Sequence, residues 1–445
     1  MQSSTDDANE YKIKLKKNIL LLQGPIGKFF NHFKRFCYKY GGVDGVYKIN
    51  FQIGELLLYF DKNTYFYRGT IDAWGQYLKE IVEKHKIEQI FLLSTSRIYH
   101  QIAIDLAKEL NIDVYVFEQG YIRPHYVTIE QNGVNAETNL PKCPEFYLNL
   151  NTDNKVKPDK PIINEKRKQL MSIPYNWALF IVHLSIYGYG IVATNYLINK
   201  HHISPFKDRG KWIFLHTLGF SKLFLKSLFA KVNFKTKKNN NYWIKKNKAN
   251  YYFYPLQVAS DTQLTQNAKM TIEESLIQVI ESFQAFSLPE TYLIIKHHPL
   301  DRGHNNYKKL IFSLAKKYNI PHRIKYIYDC NLSKALQYSL GVIVINSTTG
   351  LSALLHKKPV ICLSKTAVYD ISSLTYQKDL HTFWQEAKSF TINEKLLHNF
   401  YVYLKRTTQF QGEFYAPSFT RWSQKFVSQS RGITHSRQVS NNNIL

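Results

Sequence analysis

The strongest constraint on this chain is an alternation of short apolar runs with amphipathic stretches that occurs in two separate series. The first opens at Asn18-Ile-Leu-Leu-Leu-Gln-Gly, an apolar run that ends in glycine and leads into an amphipathic stretch at residues 29–40. That order predicts strand, turn, helix. Residues 69–86 read as helix, 89–93 as buried strand, 99–111 as helix and 113–117 as another strand. A second series starts at Tyr251-Tyr-Phe-Tyr-Pro-Leu-Gln. It runs helix 271–286, strand 292–296, helix 307–319, strand 324–328, helix 332–339, strand 341–346 and strand 359–363, with a late helix at 393–407. Strands that alternate with helices predict a parallel sheet in each series.

A chain of 445 residues is long enough for two such domains and the pieces that join them. The polar, proline-containing stretch at 149–174 marks the break. We divide the chain into an N-terminal Rossmann-like domain at 1–170, an apolar and basic helical linker at 171–250, a C-terminal Rossmann-like domain at 251–390, and C-terminal helices with a polar tail at 391–445. Two α/β sheets facing each other across a cleft is the GT-B architecture. Within the linker, residues 177–199 hold no Asp, Glu, Lys or Arg. The segment reaches the length of about 20 residues that a membrane span needs. Its interior is mixed, with His183, Asn195, tyrosines and glycines, so a buried or interfacial helix against an anionic membrane surface is expected.

Lys and Arg number 59 against 33 Asp and Glu, a net charge of +26, which favours polyanionic partners. No zinc-finger spacing, aromatic RNA-binding strand or basic zipper accompanies that charge, so nucleic acid is not the expected partner. Cys37, Cys143, Cys330 and Cys362 stand far apart. They form neither a metal pair nor a disulfide scaffold, and they suit a reducing cytoplasm. The first residues, MQSSTDDANEYKIKLKKN, carry no apolar stretch after their charges and do not read as a secretory signal.

Ligands of open α/β sheets sit at the carboxyl ends of strands, so the loops after the strands are the candidate site. Asn346-Ser347-Thr348-Thr349-Gly350 follows a buried strand and opens a helix. Backbone N–H groups at the helix start, the Ser347 and Thr348 hydroxyls and the close approach Gly350 permits all suit a phosphate. An ordinary N-cap would need only one of these residues. Lys296-His297-His298-Pro299 leads to Asp301, Arg302 and His304, and crowds cationic groups into one loop fit for a nucleotide phosphate. A metal site would need more carboxylate or cysteine ligands than Asp301 offers. Glu118-Gln119-Gly120 closes a strand ahead of Arg123, and Glu118 can serve as base or nucleophile in glycosyl transfer, or simply pair with Arg123. Gly24 and Gly27 allow backbone approach to a ligand, though a tight turn explains them equally well.

Together these stretches resemble the capsule polysaccharide biosynthesis and export family, and within it the single-module enzymes that transfer Kdo from CMP-Kdo. The resemblance rests on LQGPIGKFF, FEQGYIRPHYVTIEQNGVN, YPLQVASDTQ, KHHPLDRGHNNY, NSTTGLSALLHKKPV, YDISSLT and TQFQGEFY, in that order, over most of the chain. It implies a retaining, metal-independent transferase with no cofactor beyond its nucleotide-sugar donor. It implies catalysis at Glu118-Gln119-Gly120 and contact with the CMP phosphate at His298-Pro299 and Ser347-Thr348. Lyso-phosphatidylglycerol would be the acceptor and a capsule lipid primer the product. On this reading CMP binds Gln257, Lys296, His298, Asn346, Ser347, Thr348 and Gly350. The acceptor binds near Gly24, Gly27, Arg97, His100 and Arg123. The enzyme would be cytoplasmic and peripheral to the inner membrane, alongside capsule assembly and export proteins. Two positions depart from the family: Gln119 stands where a second acid is usual, and Ser94-Thr95 where Gly-Asp is usual. An amide cannot act as a carboxylate base. A non-catalytic glycolipid-binding assembly component, or a transferase for another nucleotide sugar, is therefore the alternative.

Overall fold

A computed structural model describes residues 13–25, 27–124, 126–151, 231–301 and 305–414. The apolar stretch 177–199 lies outside the described residues. The first half runs β1 (Asn18–Leu22), α1 (Phe29–Tyr40), β2 (Gly45–Asn50), α2 (Ile53–Leu58), β3 (Thr64–Phe66), α3 (Trp74–His85), β4 (Gln89–Leu93), α4 (Ile98–Glu109), β5 (Asp113–Gln119), β6 (Tyr126–Gln131) and α5 (Pro144–Leu148). After it come α6 (Lys231–Lys246), β7 (Tyr251–Pro255), α7 (Ile272–Phe286), β8 (Tyr292–Lys296), α8 (Lys308–Lys317), β9 (Ile324–Ile327), α9 (Leu332–Tyr338), β10 (Gly341–Val344), α10 (Thr349–Leu355) and β11 (Val360–Cys362). The described chain closes with α11 (Leu380–Glu386), α12 (Glu394–Thr407) and β12 (Gln409–Gln411).

The strands form two sheets, ordered β12-β6-β5-β4-β1-β2-β3 and β11-β10-β7-β8-β9. The second sheet is parallel throughout, and in the first the run β3-β2-β1-β4-β5 is parallel. Both parallel runs have the same winding: the first strand lies in the middle, two follow on one side and two on the other. That is the doubly wound, Rossmann-like order, and the pair makes a GT-B-like fold.

Helices cover both faces of the first sheet. On one side the Phe33 ring of α1 meets Phe91 and Phe117 edge-on, with centroids 4.8 and 5.2 Å away. On the other, Trp74, Leu78 and Tyr99 of α3 and α4 are fully buried against Leu20, Leu22 and Leu92. Each such side chain contributes roughly 1.5–3 kcal/mol of burial. In the second half Thr271 and Glu274 form a capping box that starts α7, whose Leu276, Val279 and Phe283 pack on Leu293 and Ile295.

Three features differ from the sequence reading. Strands β2, β3 and β6 were not anticipated, and β12 lies in the stretch read as helices and tail. It pairs antiparallel with β6 and carries the chain back into the first sheet. The basic stretch read as part of a linker contains α6, whose Ile244 is buried in the second half's core. There Lys237 pairs with Asp329 at 3.4 Å.

Candidate functional site

In a doubly wound sheet the chain leaves the two central strands in opposite directions and opens a crevice at their carboxyl ends. In the second half that crevice lies between β7 and β10. Gln257 follows β7 and Asn346 follows β10. Gln257 donates to Asp261 Oδ2 at 2.9 Å, and Asn346 to Thr366 Oγ1 at 2.9 Å. Their side-chain oxygens, Oε1 and Oδ1, are buried without a hydrogen-bond partner. An orphaned buried acceptor costs about 1–3 kcal/mol, so these two oxygens are suited to a donor from a ligand or water. Ser347 Oγ takes the cap role, accepting from Thr349 N at 3.2 Å. Thr348 makes no side-chain cap, and it lines the space above the crevice. Gly350 is fixed by packing: a Cβ there would lie 2.1 Å from the Tyr369 hydroxyl, which itself donates to Ser347 O.

Lys296 and His298 sit at the carboxyl edge of β8, next to β7. Lys296 is buried, and its ammonium donates to His297 O at 3.2 Å. It therefore lies beneath the loop, against the loop's own backbone. His298 is half-buried at the turn itself. His297 is fully buried and bonded to the Tyr326 hydroxyl at 2.6 Å, a structural position. Asp301 accepts from Ala259 N at 2.9 Å and ties this turn to the loop after β7. Arg302 and His304 lie outside the described residues.

In the first half the crevice lies between β1 and β4. Arg97 donates to Gln23 O at 2.9 Å across it. Gln23 and Gln52 are buried with both amide atoms unpartnered. Gly27 has φ +112°, and a Cβ on Gly24 would strike the Phe30 ring at 2.5 Å, so turn geometry and packing account for both glycines. His100, expected at the acceptor, is fully buried; its Nδ1 meets Ser94 O at 2.7 Å. Burial, with Arg97 and Lys48 nearby, lowers its pKa to about 3. It is a buried, neutral prop for the left-handed Ser94 (φ +63°), and its ring is not exposed to an acceptor.

Glu118 ends β5 half-buried, and its carboxylate accepts from Gln119 N at 2.8 Å. Burial raises its carboxyl above the ordinary glutamate range and Asp261 adds to the rise, while the Gln119 amide, Arg123 and Arg97 oppose it. Arg123 Nε donates to Gly120 O at 3.2 Å. The Gln119 side chain is exposed.

Asp261 is the residue sequence reasoning passed over. It belongs to the second half, yet it acts on Glu118 and Arg123 of the first. It also holds the Gln263 amide at 2.9 Å. Gln263 in turn lines a small, partly open pocket with Tyr121 and Asn135 from the first half and Asn346, Thr348 and Thr366 from the second. A carboxylate from one half and a crevice rich in acceptors and hydroxyls from the other thus meet at the join. The join is held in part by Gln266 Nε2, which donates to Ser96 O at 3.0 Å. Among the described residues no cluster of His, Cys, Asp and Glu fit to hold a metal is present. The signal for Asp261 was its place in the loop after β7, one turn beyond Gln257.

Two Rossmann-like halves with their crevices brought together define a glycosyltransferase-like fold. The chain belongs to the capsule polysaccharide biosynthesis family: the family model described as "Capsule polysaccharide biosynthesis protein" matches residues 88–415. It is 30% identical over 402 residues to the capsule polysaccharide export protein KpsS of Escherichia coli, covering 90% of this chain and 97% of that one. It is 31% identical over 419 residues to the capsule polysaccharide modification protein LipB of Neisseria meningitidis serogroup A, covering 91% and 93%. Anabaena Alr3699/HepE in complex with UDP aligns over 90% of this chain and 97% of that one at 9% identity and a TM-score of 0.35, a likeness too slight to say anything of donor or reaction.

Proposed function

We propose that this protein is a retaining glycosyltransferase that moves Kdo from CMP-Kdo to a (lyso)phosphatidylglycerol acceptor at the inner-membrane surface, in capsular polysaccharide assembly. One observation carries the reading: Tyr121 and Asn135 of the first half and Asn346, Thr348 and Thr366 beside the second half's crevice line one pocket at the join. CMP occupies that crevice. Its ring and ribose donors meet the open oxygens of Gln257 and Asn346. Its phosphate lies against the Ser347–Gly350 turn, with Ser347 and Thr348 as hydroxyl donors and His298 and Lys296 supplying positive charge, so that no metal or other cofactor is needed. The acceptor lies over Gly24, Gly27, Arg97 and Arg123. The bond from the sugar's anomeric carbon to phosphate breaks, the acceptor oxygen bonds to that carbon on the face the phosphate leaves, so configuration is kept, and the hydroxyl proton passes to ionised Glu118. CMP leaves with the bonding electrons.

The test is transfer from CMP-Kdo, generated in situ, to a fluorescent lyso-phosphatidylglycerol, with product read by mass. One added Kdo supports the whole reading. Protein that binds CMP and transfers nothing favours a second reading, which the exposed amide of Gln119 in the family's acidic position supports: a glycolipid-binding component that works with capsule assembly and export proteins. Binding of UDP or GDP in preference to CMP would point to another nucleotide-sugar donor.

A further inference from the structure

Leu57 and Phe60 are 70% and 76% exposed, more than any other large apolar side chain of the described residues except Tyr242 at 70%. They stand three residues apart where α2 ends and the chain turns back towards β3. Tyr38 of α1, 41% exposed, is joined to this turn through Lys34, whose ammonium lies 5.8 Å from the centre of the Tyr38 ring and also pairs with Asp61. The neighbouring surface is basic. Asn31 Nδ2 donates to Leu58 O at 2.8 Å, and Lys34 pairs with Asp61, so α1 lies alongside this turn. On α1 the exposed residues Lys28, Arg35 and Lys39 fall on one stripe, spaced seven and four apart. Lys62 is exposed beside Phe60. None of these four cations is in an ion pair among the described residues, and α1 contains no acid. On the α2–β3 turn the acids are engaged: Asp61 by Lys34, and Glu55, which is buried and accepts from Phe51 N at 2.7 Å. His32, between Lys28 and Arg35, is held below its ordinary pKa by burial and then by those two cations, so their positive field is felt within the stripe.

Two protruding apolar side chains beside a helix whose exposed cations make no ion pair among the described residues match one kind of partner, a bilayer with anionic headgroups: the apolar pair enters the acyl boundary while the cations stay among the headgroups. We propose that Leu57 and Phe60, with the Lys28, Arg35, Lys39 and Lys62 collar, dock this protein on an anionic membrane. Asn31 lies within the first turn of α1, at the carboxyl edge of the sheet that also carries Gln23 and Arg97. Docking there sets a lipid-borne acceptor beside the catalytic edge. The inference shares with the proposed function only that the acceptor is lipid-borne. The experiment omits the donor, so loss of docking and loss of transfer are read separately.

The experiment floats the full chain with vesicles of phosphatidylcholine containing about one-third phosphatidylglycerol, and with vesicles of phosphatidylcholine alone. The expected result is binding to the anionic vesicles that weakens as salt rises, little binding to the neutral ones, and a loss of about tenfold or more in Leu57→Glu/Phe60→Glu. Leu57→Ser/Phe60→Ser, which adds no charge, should also bind more weakly, with an unchanged circular dichroism spectrum to show that it is folded. Lys28→Gln/Arg35→Gln should lower binding to anionic vesicles and flatten its salt dependence. Wild-type protein that ignores both vesicles overturns the proposal. So does unchanged binding in both apolar double variants, which would place the membrane contact elsewhere in the chain.

Discussion

Glu118 shows how much of the catalytic role we propose for it depends on its surroundings. As a residue it is one acid among 33. At the end of β5, burial and Asp261 raise its carboxyl above the ordinary 4.5, towards the range where a base works best near neutral pH. The acid limb of the rate profile should therefore lie above pH 4.5, because activity needs the ionised form and appears as pH rises through the raised value. Stability runs the other way. A raised carboxyl contributes its full stabilisation below pH 4.5 and loses it as pH climbs through the folded-state value. Glu118→Gln should cut turnover by about 10²–10⁴ while leaving CMP affinity within about twofold, and should flatten that part of the stability curve. Turnover and calorimetric scans across pH measure both. Gly350→Ala makes a sharper test of the phosphate turn. Its Cβ would strike the Tyr369 hydroxyl that holds Ser347, so CMP affinity should fall tenfold or more by isothermal titration, with a modest drop in melting temperature.

At the scale of elements, the long periodic segments were legible and the short ones were not. Helix α1 and strands β4 and β8 fall where their apolar patterns put them. β3 and β12 are three residues each, too short to show a period of two. β2, GVYKIN, buries Lys48 and Asn50 within the sheet, so its composition masks its burial. β12 is nevertheless tied in firmly. Gln409 Oε1 accepts from Ile122 N at 3.3 Å, and its Nε2 donates to Thr128 Oγ1 at 2.8 Å, both groups close to the Glu118–Arg123 loop. Gln409→Leu leaves the buried Ile122 N–H without its partner, while the Thr128 hydroxyl keeps its bonds to Tyr121 N and Gln119 O. It should cost about 1–3 kcal/mol, read as a lower denaturation midpoint, and should lower turnover through the loop.

For the whole molecule, the decisive feature is that two sheets of the same winding bring their crevices together. A ligand that bridges them binds the folded chain alone and stabilises it by mass action. CMP at about a hundred times its dissociation constant should add roughly 2.7 kcal/mol and raise the melting temperature by a few degrees. UDP and GDP at the same concentration should add less. Equal shifts from all three would argue against CMP as the donor nucleotide. Gln266→Ala, which removes a bond between the halves, should weaken CMP binding less than it slows transfer, since the crevice belongs to one half and the reaction needs both.

The sequence by itself determined the two α/β halves and their parallel runs of strands, because both are written in local periodicity, and it singled out the loops after the strands as the candidate site. It also carried the family, through motifs spread along most of the chain. Only the tertiary structure decided which residues in those loops are exposed. It buried His100 and tucked Lys296 beneath its loop, because helix packing and the backbone's own acceptors claim a side chain before any ligand does. It brought Asp261 into the electrostatic surroundings of Glu118, residues more than a hundred positions apart that no local pattern links. It returned the chain's late strand to the first sheet, and it left Leu57 and Phe60 uncovered beside a row of cations.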